Sequence, residues 1–296
     1  MKKNLLKFTL PVLASAFALQ SAQAASVVFD GSTGSDYNTG ANWNGDNVPG
    51  AVNTADRAFI GAGFDVTLDS AVTSANALND TIIGINGAAT GSASLTVNAG
   101  GSVNLSTTSI GFNKDGELAV AGGTVTTAGI GLGDFGAFDG FTGALSVSSG
   151  TLNASGNIQT TNNVGIFNLS GGAINAGGLQ LSGTAGTLFN WDFTSGASSL
   201  ITVSGNTMNL TDTDFSFDLT GVGIGDYTLI QNNGTGIVDF TGSIAFTPGY
   251  TASVNFEGNA SGDNLVLSVT AIPEPSTFAL IGGLLALGSV MMRRRS

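Results

Sequence analysis

The sequence predicts an all-β chain, a Gly-rich β-solenoid with a β-rich C-terminal cap and a C-terminal transmembrane helix. Three observations lead there. Gly supplies 45 of the 296 residues, about twice the usual share of roughly 7%. The runs between glycines are short and alternating, as in Leu145-Ser146-Val147 and Phe215-Ser216-Phe217-Asp218-Leu219, and no long apolar stripe of period 3.6 argues for helices. Second, one pattern recurs. Leu95-Thr96-Val97 leads to Gly100-Gly101 and Val103, Leu118-Ala119-Val120 to Gly122-Gly123 and Val125, Leu145-Ser146-Val147 to Ser149-Gly150 and Leu152, and Phe167-Asn168-Leu169 to Gly171-Gly172 and Ile174. Third, a long apolar run near the C-terminus, Thr277 to Met292, ends on Arg293-Arg294-Arg295.

Taken in order, residues 1–24 are expected to be a secretory signal peptide. Lys2, Lys3 and Lys7 precede an apolar run from Phe8 to Leu19. Ala22 and Ala24 then place small residues where signal peptidase needs them, so cleavage is expected between Ala24 and Ala25. Residues 25–81 read as an N-terminal cap and first strands, with Trp43 and Phe59 expected to cover the first rung. An open solenoid end would otherwise expose both core and strand edge.

Residues 82–186 hold the Gly-rich repeats. Measured at the second glycine of each copy, the intervals are 22, 27 and 22 residues, a period typical of solenoids whose rungs bury apolar faces against their neighbours. A second marker, Ile83-Gly84, Ile110-Gly111, Ile130-Gly131 and Val164-Gly165, precedes the copies. Residues 187–270 depart from this pattern. Phe189, Trp191 and Phe193 alternate there, as do Phe215, Phe217 and Leu219, and Asn232-Asn233-Gly234 and Pro248-Gly249 supply turns. This region reads equally as irregular rungs or as a small sandwich capping the solenoid.

In residues 271–296, Ser276 to Met292 is an apolar stretch of about 17 residues, the lower limit for a membrane-spanning helix. Pro275 suits its first turn, and the arginines would stay on the cytoplasmic side. Pro273-Glu274-Pro275, the apolar helix and Arg293-Arg294-Arg295 together resemble the PEP-CTERM sorting signal of Gram-negative bacteria. That resemblance implies an exosortase as partner, processing near Pro273-Glu274-Pro275, and an inner-membrane-tethered intermediate released to the outer surface or extracellular matrix. On physical grounds alone the same tail also satisfies a permanent anchor. The repeat is similar to the one shared by type V secreted autotransporter passengers and PEP-CTERM proteins, which implies a right-handed parallel β-helix and a role in adhesion or in biofilm and exopolysaccharide association.

Charge narrows the function further. The net charge is −12, and there is no Cys and no His. Cys-His and Ser-His-Asp nucleophiles and ordinary zinc sites are therefore excluded. Between the two ends only Arg57 and Lys114 are basic, which argues against nucleic acid as a partner. No catalytic, cofactor-binding or metal-ligating residue is assigned. Gly131-Leu132-Gly133-Asp134-Phe135-Gly136 matches the dinucleotide fingerprint in letters, but no βαβ unit surrounds it. The many Asp side chains suit turns. Asp36, Asn38 and Asn42, or Asp212, Asp214 and Asp218, are the nearest approach to a calcium ligand set. The expected function is thus a non-catalytic exported surface or matrix protein. A calcium-dependent carbohydrate-binding module and a β-helix polysaccharide lyase stand as alternatives.

Overall fold

The computed structural model describes residues 26–271, apart from 52–55, 73–77, 86–90, 134–139, 161–162, 182–185, 197–198, 206–207, 235–239, 241 and 259–262. The described residues form an all-β solenoid of about six turns. The signal segment with Ala22, Ala24 and Ala25, and the sorting segment with Pro273, Glu274, Pro275, Arg293, Arg294 and Arg295, lie outside them. Among the described residues no helix is long and apolar enough to cross a membrane.

The chain enters through β1 (Ser26–Val28); β2 (Arg57–Gly61), stacked on it, opens the first full turn with β3 (Asp65–Leu68). The second turn is β4 (Asp80–Ile85), β5 (Ala93–Asn98) and β6 (Ser102–Asn104). β7 (Thr107–Ile110) and β8 (Gly116–Thr127) make the third, β8 bending across two faces. β9 (Gly129–Leu132) leads into β10 (Thr142–Thr160), which continues around the corners of the prism into the next turn. β11 (Val164–Leu169), β12 (Ala173–Leu181), β13 (Thr187–Asp192), β14 (Leu200–Val203) and β15 (Met208–Asn209) carry the winding onward. β16 (Thr213–Asp218), β17 (Gly225–Asn232) and β18 (Ile244–Phe246) end it, and β19 (Thr251–Gly258) and β20 (Asp263–Ala271) fold back.

Parallel pairing stacks these strands on three faces. The first face runs through β1, β2, β4, β7, β9, the end of β10, the end of β12 and β15. The second runs through β3, β5, β8, β10, β11, β13, β16 and β18. The third runs through β6, the second half of β8, the middle of β10, β12, β14 and β17. The recurring pattern of the sequence is the register of the second and third faces: Leu95, Leu118, Leu145 and Phe167 are successive partners, and so are Val103, Val125, Leu152 and Ile174. All eight are buried, so each turn hides its apolar side only by resting on the next.

Rungs extend on both sides of residues 82–186. Phe189 and Phe215 continue the Leu145–Phe167 column, and Trp191, Phe217 and Phe246 continue Val147–Leu169. The core thereby changes from aliphatic to aromatic. Phe189 stacks on Phe167 with ring centroids 4.2 Å apart and on Phe215 at 5.3 Å. Of the two readings of residues 187–270, irregular rungs hold as far as β18. The antiparallel pairs β17–β20 and β19–β20 then close the end.

At the other end Trp43 is buried edge-on to Phe29 and Tyr37, at 5.0 and 4.9 Å. Its Nε1–H donates to the Tyr37 carbonyl at 2.8 Å. Asn44 occupies the free edge of β1: its side-chain oxygen accepts from Val28 N–H, and its own N–H donates to the Val28 carbonyl. Phe59 is not part of this cap. Ala58 and Ile60 take the inward positions of β2, which turns Phe59 outward, with the Arg57 guanidinium 5.2 Å from its ring centroid.

Candidate functional site

With the interior filled by apolar columns, the outward side chains are what the solenoid offers to other molecules. On the second and third faces they bond to one another from turn to turn. Asn190 donates to Asn168 at 2.9 Å, Asn168 to Ser146 at 3.1 Å, and Ser146 to Glu117 at 2.5 Å. Asn175 donates to Asn153 at 2.9 Å. Because parallel register superimposes like positions, short amide side chains meet their own kind about 4.8 Å away, one turn on.

Shallow hollows interrupt this surface, two of them lined by described residues. One, of about 310 Å³, lies on the second face between Asp65, Ser94, Asp115, Glu117 and Thr142. Asp65 and Glu117 stand on alternate turns with Ser94 between them, so their backbones are about 10 Å apart at about 4.8 Å per turn. Each carboxylate already has a donor within the protein: Ser94 to Asp65 at 2.8 Å, Thr142 N–H to Asp115 at 2.8 Å, and Ser146 to Glu117. The nearest cation, Lys114, points its ammonium toward the Phe141 ring at 5.7 Å.

The other hollow, of about 290 Å³, is on the first face. Gly129 and Gly131 form its floor; Thr107 and Ser109 from the preceding turn and Asn157 and Gln159 from the following turn form its walls. No ionisable side chain lines it.

The residues weighed as calcium ligands are occupied with turns. Asp36 accepts from Asn38 N–H at 3.0 Å and from the Thr39 hydroxyl at 2.7 Å. Asn38 donates to Ser70 and Asn42 to the Asp36 carbonyl. Asp212 has a left-handed backbone, φ 54°, while Asp214 and Asp218 sit four residues apart along β16 and bond separately to Ser243 and to Thr220 and Thr247. Among the described residues no three acidic side chains converge on one point. Of the dinucleotide-like motif, Gly131 lies within β9 and Gly133 at the corner after it; Asp134, Phe135 and Gly136 lie outside the described residues. Arg57 is taken up by Asp80, 2.9 Å away on the next turn.

The turn bonds leave an electrostatic signature. Ser243, by its hydroxyl and then its N–H, holds the Asp214 carboxyl below the usual aspartate range, and Thr220 does the same to Asp218. A carboxyl with a depressed folded-state pKa adds stability above its unfolded value of about 4, and that stability is lost as pH falls through the lower folded value. Urea midpoints are therefore expected to fall below about pH 4. The acid dependence should become shallower in Ser243→Ala combined with Thr220→Ala. An unchanged profile in that double variant would remove these two carboxylates from the account.

No protein-family model matches the chain, and no significant similarity to a curated protein or a solved structure was found.

Proposed function

We propose that this chain is a non-catalytic, exported surface or extracellular-matrix protein whose lateral faces associate with extracellular polysaccharide. The observation that carries the reading is the outer surface itself. Three long faces present repeating hydroxyl, amide and carboxylate side chains, suited to many weak hydrogen bonds along a polymer, on a chain whose two ends resemble export and sorting signals. Function has to be argued from a site rather than from a fold. Here the carboxylates of the acidic hollow each already accept a bond from a neighbouring Ser or Thr, and the two basic side chains of the body face Asp80 and Phe141.

In this reading signal peptidase removes residues 1–24, the C-terminal helix tethers the body transiently to the inner membrane, and an exosortase releases it near Pro273-Glu274-Pro275. Residue 26 begins the strand at one end of the winding, and residue 271 ends the antiparallel pair that closes the other. A tether at the C-terminus would therefore hold the Trp43 cap outermost, with all three faces open to the surroundings.

Mass spectrometry of the mature protein is expected to find Ala25 at the N-terminus and an end near Pro273 to Pro275, without Arg293-Arg294-Arg295. A mature surface protein that keeps the arginines would refute sorting by exosortase.

A further inference from the structure

We infer that the hollow on the first face is a binding site for a short segment of uncharged polysaccharide, which rests on the glycan-associating function proposed above and gives it a location and a ligand class.

The inference starts from unmet hydrogen-bonding capacity. Along the second and third faces, Asn190, Asn168, Ser146 and Glu117 bond in a chain and Asn175 bonds Asn153. Around this hollow the outward polar side chains do not. Among the described residues, the side chains of Thr107, Asn157 and Gln159 have no hydrogen-bond partner, and neither has Ser109, although Ser109 is only 8% exposed and lines the cavity. Ser109 is the buried one of the four; Asn157 and Gln159 are half-buried and Thr107 is exposed, so all four hold donors and acceptors open to a partner at one opening.

The floor gives the second part of the argument. Most glycines of this chain that have a left-handed backbone sit at bends. Gly131 does not; it lies inside β9, with φ outside that region, between register partners Ser109 and Gln159. The outward column it belongs to continues through Gln180 and Asn209, so the backbone there accepts side chains of that size. What glycine adds at 131 is space. The gap it opens is two turns wide, about 10 Å at about 4.8 Å per turn, and it runs along the strands.

Chemistry selects the ligand. The walls offer two hydroxyls and two amides, each able to donate and to accept, which complements a polyhydroxylated ring. A cation would find no carboxylate in the lining and an anion no basic group. A volume of about 290 Å³ is at the small end for ligand sites, about 300 Å³, and corresponds to one or two sugar rings of a longer chain passing over the face.

The test is calorimetric titration of the purified full-length chain with neutral maltohexaose, cellohexaose, xylohexaose and mannohexaose, and with anionic hexagalacturonate. It is repeated on Gly131→Gln, which fills the floor, on Asn157→Ala combined with Gln159→Ala, which removes one wall, and on Asn175→Ala, which alters the third face. Circular dichroism and melting temperature verify that each variant folds. The expected result is that at least one neutral hexasaccharide binds, that both hollow variants weaken it at least tenfold, and that Asn175→Ala does not. Binding undiminished in both hollow variants would overturn this site while leaving glycan association elsewhere on the solenoid. Binding of hexagalacturonate alone would overturn the uncharged class. If no hexasaccharide binds, the site is overturned. Co-sedimentation with total extracellular polysaccharide then decides whether the broader function falls with it.

Discussion

Replacing Phe189 by alanine is expected to destabilise the protein by about 3–5 kcal/mol, the range for deleting a large aromatic side chain from a packed core. Phe189 is fully buried and touches three other rings: Phe167 at 4.2 Å, Trp191 at 5.1 Å and Phe215 at 5.3 Å. Two of these belong to the turns before and after its own. A solenoid turn is stable only through its neighbours, so the cavity would weaken both interfaces at once. Unfolding should then begin with the turns from β13 onward. The measurement is the urea midpoint of Phe189→Ala beside Asn190→Ala, whose exposed amide bond to Asn168 is worth only about 1 kcal/mol. Equal midpoints would mean that the aromatic column is not a packed core.

Gly111→Val should be comparably severe for a different reason. Gly111 has φ 76°, and a Cβ there would stand 2.5 Å from the Thr142 carbonyl oxygen and 2.7 Å from the Gly143 nitrogen, both backbone atoms of the next turn. The left-handed conformation alone costs a residue with a side chain about 1–2 kcal/mol. The contact with fixed backbone raises the total to about 3 kcal/mol or more, because relieving it means forcing two turns apart. Gly140→Ala separates the two contributions: φ is 92°, but nothing lies within 4 Å of the added carbon. Thermal melts should show a small loss for Gly140→Ala and a failure to reach the folded state for Gly111→Val. Similar modest losses in both would show that the turns can spread.

The repeat was the most legible part of this molecule because stacking imposes it directly on the chain. Leu95, Leu118, Leu145 and Phe167 occupy one column and read as one column. The Ile-Gly marker was less faithful. Ile83-Gly84 and Ile110-Gly111 are equivalent in register, yet the third such corner is Leu132-Gly133, two residues after Ile130-Gly131, and Val164-Gly165 lies on a different face. Gly is too common here for one pair to mark one position.

Past Phe189 the interval between stacked partners grows from 22 residues to 26 and then 29, and the double-glycine corner between the second and third faces does not recur after Gly171-Gly172. The strands of that region were still visible as alternation, but their order of stacking was not, since parallel register requires matching burial rather than matching sequence. Phe59 shows how narrow the margin is: a shift of one residue along a strand exchanges inside for outside. The hollow at Gly131 had no linear signature, because its walls come from three successive turns. A glycine within a strand, away from any bend, was the one local hint.

The stacking register has a last consequence, for size. Leu145, Phe167 and Phe189 follow one another at 22-residue steps and occupy equivalent places, so removing or duplicating one such block would leave each remaining strand a partner of the same kind. The rod can therefore lengthen or shorten only in whole steps, each about 4.8 Å, without redesign of its tip or base. Reach becomes a heritable quantity counted in copies, separable from whatever the sides hold.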